Sequence, residues 1–290
     1  FGISGGSEII LHPKFELDAV MKDLSKKKPT VFPGVPTMYM AIANHPDIAK
    51  FDLSSLKFCA SGGAPLPVDV QDKFQRVTGC RLLEGWGMTE TSPSGTSTPM
   101  TDKRVAGAAG VPLPGIEIRI LDVDDKNKVM PMGEIGEIAI KGPNIMKGYW
   151  NKPDVTAESF VDDFFLTGDT GYLDEDGYMH IVDRTKDMIT SGGFNVYPRI
   201  IEEAIFEHPS VAEVTVIGIA DDYRGEAAKA FIKLSPSGKE FSLEELREFL
   251  SDKLGKHELP AAVEFRPELP KTLVGKLSKK ELVEEERLKH

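Results

Sequence analysis

The sequence predicts a chain of mixed α/β and α+β architecture. It reads as the end of a large α/β domain with a small β-barrel-like subdomain, followed by a compact α+β C-terminal domain. Three observations carry this prediction. Strand-length apolar runs alternate with amphipathic helical stretches up to about residue 105. Short alternating segments, separated by glycines and prolines, fill 107–182. Beyond 187, helix-start signatures flank two apolar β runs.

Taken in order, Leu17, Val20, Met21 and Leu24 fall at helical spacing. "TVFPGVP" (30–36) reads as a strand entering a proline-punctuated loop. "LKFCASGGAPLP" follows, with Pro67 where a helix can start. Val70, Phe74 and Val77 then share one helical face, and Gly79 fits just past its end. The next strand lies near Cys80 and Leu83. "IEIRIL", "GEIAIK" and "GYMHIV" predict a small antiparallel unit. After Pro198 comes a helix near 199–207, then strands at 214–219 and 228–234. Ser242 with Glu245, and Ser278 with Glu281, form capping-box patterns before two further helices. The expected boundaries are 1–184 for the large-domain part, comprising 1–106 α/β and 107–184 antiparallel β, and 185–290 for the small domain. The joint "DRTKD" (183–187) is short and charged and suits a hinge with defined end states.

With 40% hydrophobic residues and a formal charge of -11 over 290 residues, the chain is globular in composition. Non-specific attachment to nucleic acid is disfavoured. Cys59 and Cys80 match no metal spacing and read as free buried thiols of a reducing compartment. A cytoplasmic location follows, with peripheral attachment to a membrane left open. The sequence has no 18-residue apolar run and hence no transmembrane segment. Phe1 opens in mid-pattern without a methionine, as in a piece of something longer or a processed product.

Six stretches can carry chemistry. "EGWGMTET" (84–91) places a flat ring (Trp86), a hydroxyl (Thr89) and a carboxylate (Glu90) in one turn, suited to a planar ligand, a phosphate and a metal. It is equally an ordinary bend with a satisfied surface glutamate. "SGGAP" (61–65) and "SGGFN" (191–195) let a ligand approach the backbone closely, or are plain tight turns. "LTGDTG" (166–171) sets Asp169 in a loop between glycines, where it can take both ribose hydroxyls or bond its own backbone. Arg184 can meet a ribose or phosphate, or pair with Asp183 or Asp187. Lys276, after a glycine in "LPKTLVGKLSKKEL", can reach a phosphate or belong to a solvated basic run.

In this order, "SGGAPLP", "GWGMTET", "GEIGEIAIKGPNIMKGYW", "FLTGD", "DRTKDMITSGGFNVYPRIIEE" and "ELPKTLVGK" resemble the motifs of the adenylate-forming superfamily, over nearly the whole chain. "SGGFNVYP" and "VEFRPELPKTLVGK" are most similar to medium- and long-chain fatty acid–CoA ligases. The resemblance implies ATP-dependent activation of a carboxylic acid, then thioester formation with coenzyme A, with ATP, Mg²⁺ and coenzyme A taking part. Trp86 and Gly87 would hold adenine, with Gly62, Gly63 and Ala64 lining the adenine and acyl site. Thr89 would meet the α-phosphate and Glu90 the Mg²⁺. Asp169 and Arg184 would hold the ribose, and Lys276 would bridge the carboxylate and the α-phosphate. Lys186 falls at the hinge position, and Gly192 and Gly193 would line the pantetheine tunnel.

The family's phosphate-binding loop is not in this sequence, so a missing N-terminal half or a second copy is expected to cover the exposed sheet. His257 and Glu258 stand where an aromatic residue and a lysine are usual, and Lys279 and Lys280 where arginines are common. Two other readings stay open: an amino-acid-type adenylation domain, and a non-catalytic fragment that binds nucleotide or a partner.

Overall fold

The structure is a computed structural model and describes residues 2–101, 105, 107–271 and 277–289. Its first unit alternates as expected: α1 (Leu17–Lys26), β1 (Val31–Gly34), α2 (Pro36–Ala43), β2 (Phe58–Ser61), α3 (Val68–Thr78) and β3 (Arg81–Glu84). The three strands pair in parallel in the order β1-β2-β3. Val20, Met21 and Leu24 turn inward from α1. Tyr39 is fully buried at the centre, and its hydroxyl donates to the carbonyls of Phe32 (2.9 Å) and Ala60 (2.8 Å), tying α2 to two strands. α3 ends at Gly79, whose φ of 68° is the left-handed cap that glycine adopts without steric cost. Its buried face is Val70, Gln71 and Phe74. Val77 is 40% exposed, contrary to the spacing argument. Gln71 takes the inward place because its amide donates to the Leu82 carbonyl, so a polar group is buried with its partner. Cys59 and Cys80 are free and buried, as expected, with their sulfurs 3.6 Å apart.

The second unit holds β4 (Thr96–Ser97), β5 (Val111–Pro112), β6 (Glu117–Leu121), β7 (Gly136–Lys141), α4 (Pro153–Glu158), β8 (Phe160–Val161), β9 (Phe164–Leu173) and β10 (Met179–Arg184). β4 pairs with β5. The rest form the expected antiparallel sheet in the order β10-β9-β7-β6, with β8 beside β9. One expectation fails. "LTGDTG" is not a loop but the middle of β9, the longest strand of this sheet, paired with both β7 and β10. The glycine spacing was misleading: a Cβ at Gly171 would collide with the His180 carbonyl of β10, so glycine here serves close strand packing.

The third unit contains β11 (Ile189–Ser191), β12 (Phe194–Val196), α5 (Pro198–Phe206), β13 (Val211–Asp221), β14 (Gly225–Leu234), α6 (Leu243–Leu250), β15 (Ala262–Phe265) and α7 (Lys279–Arg287). Strand order is β12-β11-β14-β13, and β15 adds in parallel to β14. α5 and α6 pack on one face of the β13–β14 hairpin through Ile201, Ile205, Leu246 and Leu250. Leu269 and Leu282, the latter from α7, pack with Ile217 and Phe231. The capping box at Ser242 and Glu245 is present in both directions. The matching pattern at Ser278 is not: that side chain makes no cap bond. Among the described residues no helix is long and apolar enough to cross a membrane.

Candidate functional site

"EGWGMTET" leaves β3 and folds back along 94–98. The Glu84 carbonyl accepts from the Thr98 N–H at 2.7 Å, and the Trp86 carbonyl from the Gly95 N–H at 2.8 Å. Glycine is required twice in this turn. A Cβ at Gly87 would collide with the Pro93 carbonyl, and one at Gly95 with the Trp86 ring. The "SGGAP" segment lies alongside, because the Gly85 N–H donates to the Ser61 carbonyl at 3.1 Å and the Leu66 N–H to Glu84 Oε1 at 3.0 Å. Burial pushes the Glu84 carboxyl up, and the Leu66 N–H and the charge of Arg199 oppose that shift. Gly62, Gly63 and Ala64 are therefore neighbours of the turn, and Gly63 takes a φ of 76°.

Trp86 is only 8% exposed and packs with Ile118, Ile138, Ile140 and Phe165 of the antiparallel sheet. Its Nε1–H donates to Asp169 Oδ2 at 2.8 Å. Asp169 sits opposite Arg184 in the β9–β10 register, and Arg184 Nε lies 3.7 Å from its Oδ1. Burial pushes the Asp169 carboxyl up, while the indole N–H and the guanidinium hold it down. Arg184 thus pairs with Asp169, not with Asp183 or Asp187 as its sequence neighbours suggested.

Thr89 is exposed and Glu90 half-buried in a short 3-10 turn, Thr89–Thr91. Glu90 Oε1 accepts from the Tyr149 hydroxyl at 2.9 Å, and the Glu90 carbonyl from the Met146 N–H at 2.8 Å. Burial, and then the hydrogen bond to Glu90, push the Tyr149 hydroxyl up. The Asn144 amide donates to the carbonyls of Thr91 and Ser94, bracing the same turn. Sequence reasoning singled out none of Glu84, Asn144 and Tyr149. Two of them lie in "PNIMKGYW", so the signal was present, but only the fold brings that stretch to Glu90.

Gly192 and Gly193 belong to a different sheet from Asp169 and Arg184. Gly192 and Gly193, with φ of 59° and 83°, form the two-residue turn between β11 and β12. Two positive φ values in succession fit a type I′ hairpin. Beside the turn, Phe194 stacks on His257 at 4.5 Å. Lys186 is exposed in the short turn Thr185–Asp187 that follows β10. Lys276 lies outside the described residues. The flanking chain is closed by a Lys271–Leu277 bridge and by the Ser278 N–H donating to the Pro270 carbonyl at 2.8 Å. Among the described residues, no three histidine, cysteine or acidic side chains gather as a metal cage.

The sequence profile of the AMP-binding enzyme family matches residues 1–150, and that of the AMP-binding enzyme C-terminal domain matches 200–276. A long-chain-fatty-acid–CoA ligase of Bacillus subtilis (strain 168) is 46% identical over 290 residues, which is 100% of this chain and 51% of that protein. A feruloyl-CoA synthase of Amycolatopsis sp is 40% identical over 280 residues, 96% of this chain and 56% of that protein. The chain spans about half the length of the curated relatives it matches. Among solved structures, ATP-bound MatB from Rhodopseudomonas palustris superposes with a TM-score of 0.90 at 38% identity, covering 98% of this chain and 56% of that one. Apo MatB, at the same identity and coverage, gives 0.75. The family match over the first half of the chain, its companion over the C-terminal unit and a turn that gathers Trp86, Glu90 and Asp169 agree: the chain belongs to the AMP-binding enzyme family.

Proposed function

We propose that the chain is the C-terminal part of an ATP-dependent acid–thiol ligase that activates a carboxylic acid as its acyl-adenylate and then forms the coenzyme A thioester. The observation that carries this reading is the convergence of Trp86, from the turn after β3, with Asp169 and Arg184 of the antiparallel sheet, beside the glycine turn at 62–63. A largely buried carboxylate flanked by a guanidinium and an aromatic ring suits a ribose and its base. Asp169 would exchange part of its present bonding for ribose hydroxyls. Thr89, exposed at the turn, suits a phosphate oxygen. Lys276 would bridge the acid and the α-phosphate and stabilise charge as it develops between them.

The residues fit Mg²⁺ in the way that metal is usually held: one carboxylate, Glu90, with phosphate and water completing the shell. The metal would supply charge neutralisation at the phosphates. The Tyr149 hydroxyl, donating to Glu90 Oε1, would help to orient the carboxylate for that task. A fatty acid is the favoured substrate, on the names of the relatives. The feruloyl-CoA synthase at 40% identity makes an aromatic acid the second reading.

We further take 1–184 and 185–290 as the two domains, hinged at Lys186. Adenylate formation and thioester formation would then use two faces of the small domain, with Gly192 and Gly193 lining the path of the thiol arm. The greater likeness to ATP-bound than to apo MatB supports more than one arrangement of these parts.

ATP–pyrophosphate exchange with a panel of fatty and aromatic acids tests this function, on the chain and on the full-length protein. Exchange with a fatty acid, lost in Lys276→Ala, is expected. Absence of exchange in the full-length protein with every acid overturns it.

A further inference from the structure

Asp183 ends the apolar part of β10, two residues before the turn at 185–187. Its side chain is 7% exposed and both oxygens are engaged. Oδ1 accepts from the Arg184 N–H at 2.8 Å, and Oδ2 from the Arg199 N–H, also at 2.8 Å. Arg199 stands in the first turn of α5, on the far side of the turn in sequence. A carboxylate there satisfies an orphan donor and complements the positive end of the helix dipole.

Lys279 opens α7. A lysine in a first turn opposes the helix dipole, and Ser278 before it contributes no cap bond. Helix start alone therefore gives no reason for a cation here. Its ammonium instead reaches Glu202 Oε1 of α5 at 3.1 Å and lies 4.0 Å from Asp183 Oδ2. Glu202 Oε1 also accepts from the Val216 N–H of β13 at 2.8 Å. One lysine thus serves two largely buried carboxylates, one on each side of the turn. Removing it leaves both short of positive charge, the costly way to break a buried pair.

We propose that Lys279 is a positioning residue: with Asp183 and Glu202 it forms a polar latch across the 185–187 turn. The latch holds the C-terminal unit in the observed orientation and fixes the stem of the segment that carries Lys276, three residues earlier in the chain. Its catalytic consequence rests on the two-orientation reading proposed above. Its structural consequence rests on these contacts alone.

Amide hydrogen exchange on the chain, followed at single residues, separates the two. Lys279→Met is expected to speed exchange of the Arg184 and Arg199 amides roughly tenfold by local opening, with Lys279→Arg staying near wild type. Faster exchange at Val216 alone, with Arg184 and Arg199 unchanged, overturns the latch and leaves Lys279 a local partner of Glu202. If Lys279→Met fails to fold, the double variant Lys279→Met/Glu202→Gln removes both charges together. Fast exchange at Arg199 supports the latch there, and wild-type exchange overturns it. In the full-length protein, Lys279→Met is expected to slow adenylate formation more than thioester formation, with Lys279→Arg restoring the ratio. Equal slowing overturns the catalytic part. A wild type that activates no acid refutes the proposed function and leaves the exchange result standing.

Discussion

The parallel sheet at the start of the chain has three strands of four residues each, whereas the β13–β14 hairpin runs 11 and 10 residues. One face of the parallel sheet, with Cys59, Ser61 and Leu82, lies under the helices. On the other, Val31, Pro33, Phe58, Ala60 and Leu83 accompany Arg81, and none of the six is buried. In the hairpin, residues 227–232 of β14 are buried without a break, because α5 and α6 cover one face and α7 the other. Parallel sheets are ordinarily covered on both faces. The C-terminal unit is therefore closed by its own helices, and the parallel sheet by helices on one side only.

Hydrogen exchange sharpens this contrast most directly. β13 and β14 should exchange only on global opening and β1 to β3 far sooner. Equally slow exchange in both, in a monomer, removes the distinction. Phe231→Ala, which empties a fully buried site between α7 and the hairpin, is expected to cost about 3–5 kcal/mol in chemical denaturation. A loss near zero would mean that the closed side is no better packed than the open one.

Trp86→Phe keeps a ring between the two regions but removes the donor to Asp169. We expect a loss of about 1–3 kcal/mol and weaker nucleotide binding by calorimetry. Unchanged binding would detach the indole from the site.

The ion cluster of the C-terminal unit gives a smaller, pH-dependent effect. Burial alone would raise the Glu264 carboxyl, but hydrogen bonds from Lys229 and Arg266 outweigh it and hold the group down at about 2, against a usual 4.5. A depressed folded-state pKa means that its contribution is complete above the usual value and is lost as pH falls from 4.5 towards 2. With solvent screening it amounts to about 1 kcal/mol. Glu264→Gln should flatten the acid limb of the stability curve by that amount, and an unchanged limb refutes the assignment. At the small end, Val77→Ala on the exposed face of α3 should change stability by no more than about 0.5 kcal/mol. A loss above about 2 kcal/mol would show that face to be covered in solution.

Local chemistry was legible in the sequence where a short-range signal has a single cause. Gly79 as a left-handed cap and the Ser242–Glu245 box are of this kind. β9 was not, because "TGDTG" breaks the apolar alternation that marks a strand. Its place is decided by pairing on both sides with β7 and β10, which no local pattern records. Gln71 in the core and the Tyr149–Glu90 contact, 59 residues apart, are likewise products of the fold. The order of the motifs pointed to the family. It did not show that Arg184 would choose Asp169, nor that Trp86 would be packed beneath the antiparallel sheet.

Arg184 is both the cross-strand partner of Asp169 and the residue that leads into the 185–187 turn. If the chain turns at Lys186 as proposed, a ligand that draws the Asp169 carboxylate away from Arg184 acts next to the pivot. Linkage makes that influence mutual. By whatever factor such a ligand biases the orientation of the C-terminal unit, that orientation biases the ligand's affinity by the same factor. A reporter placed far out on α6 would then read occupancy of a carboxylate it never touches.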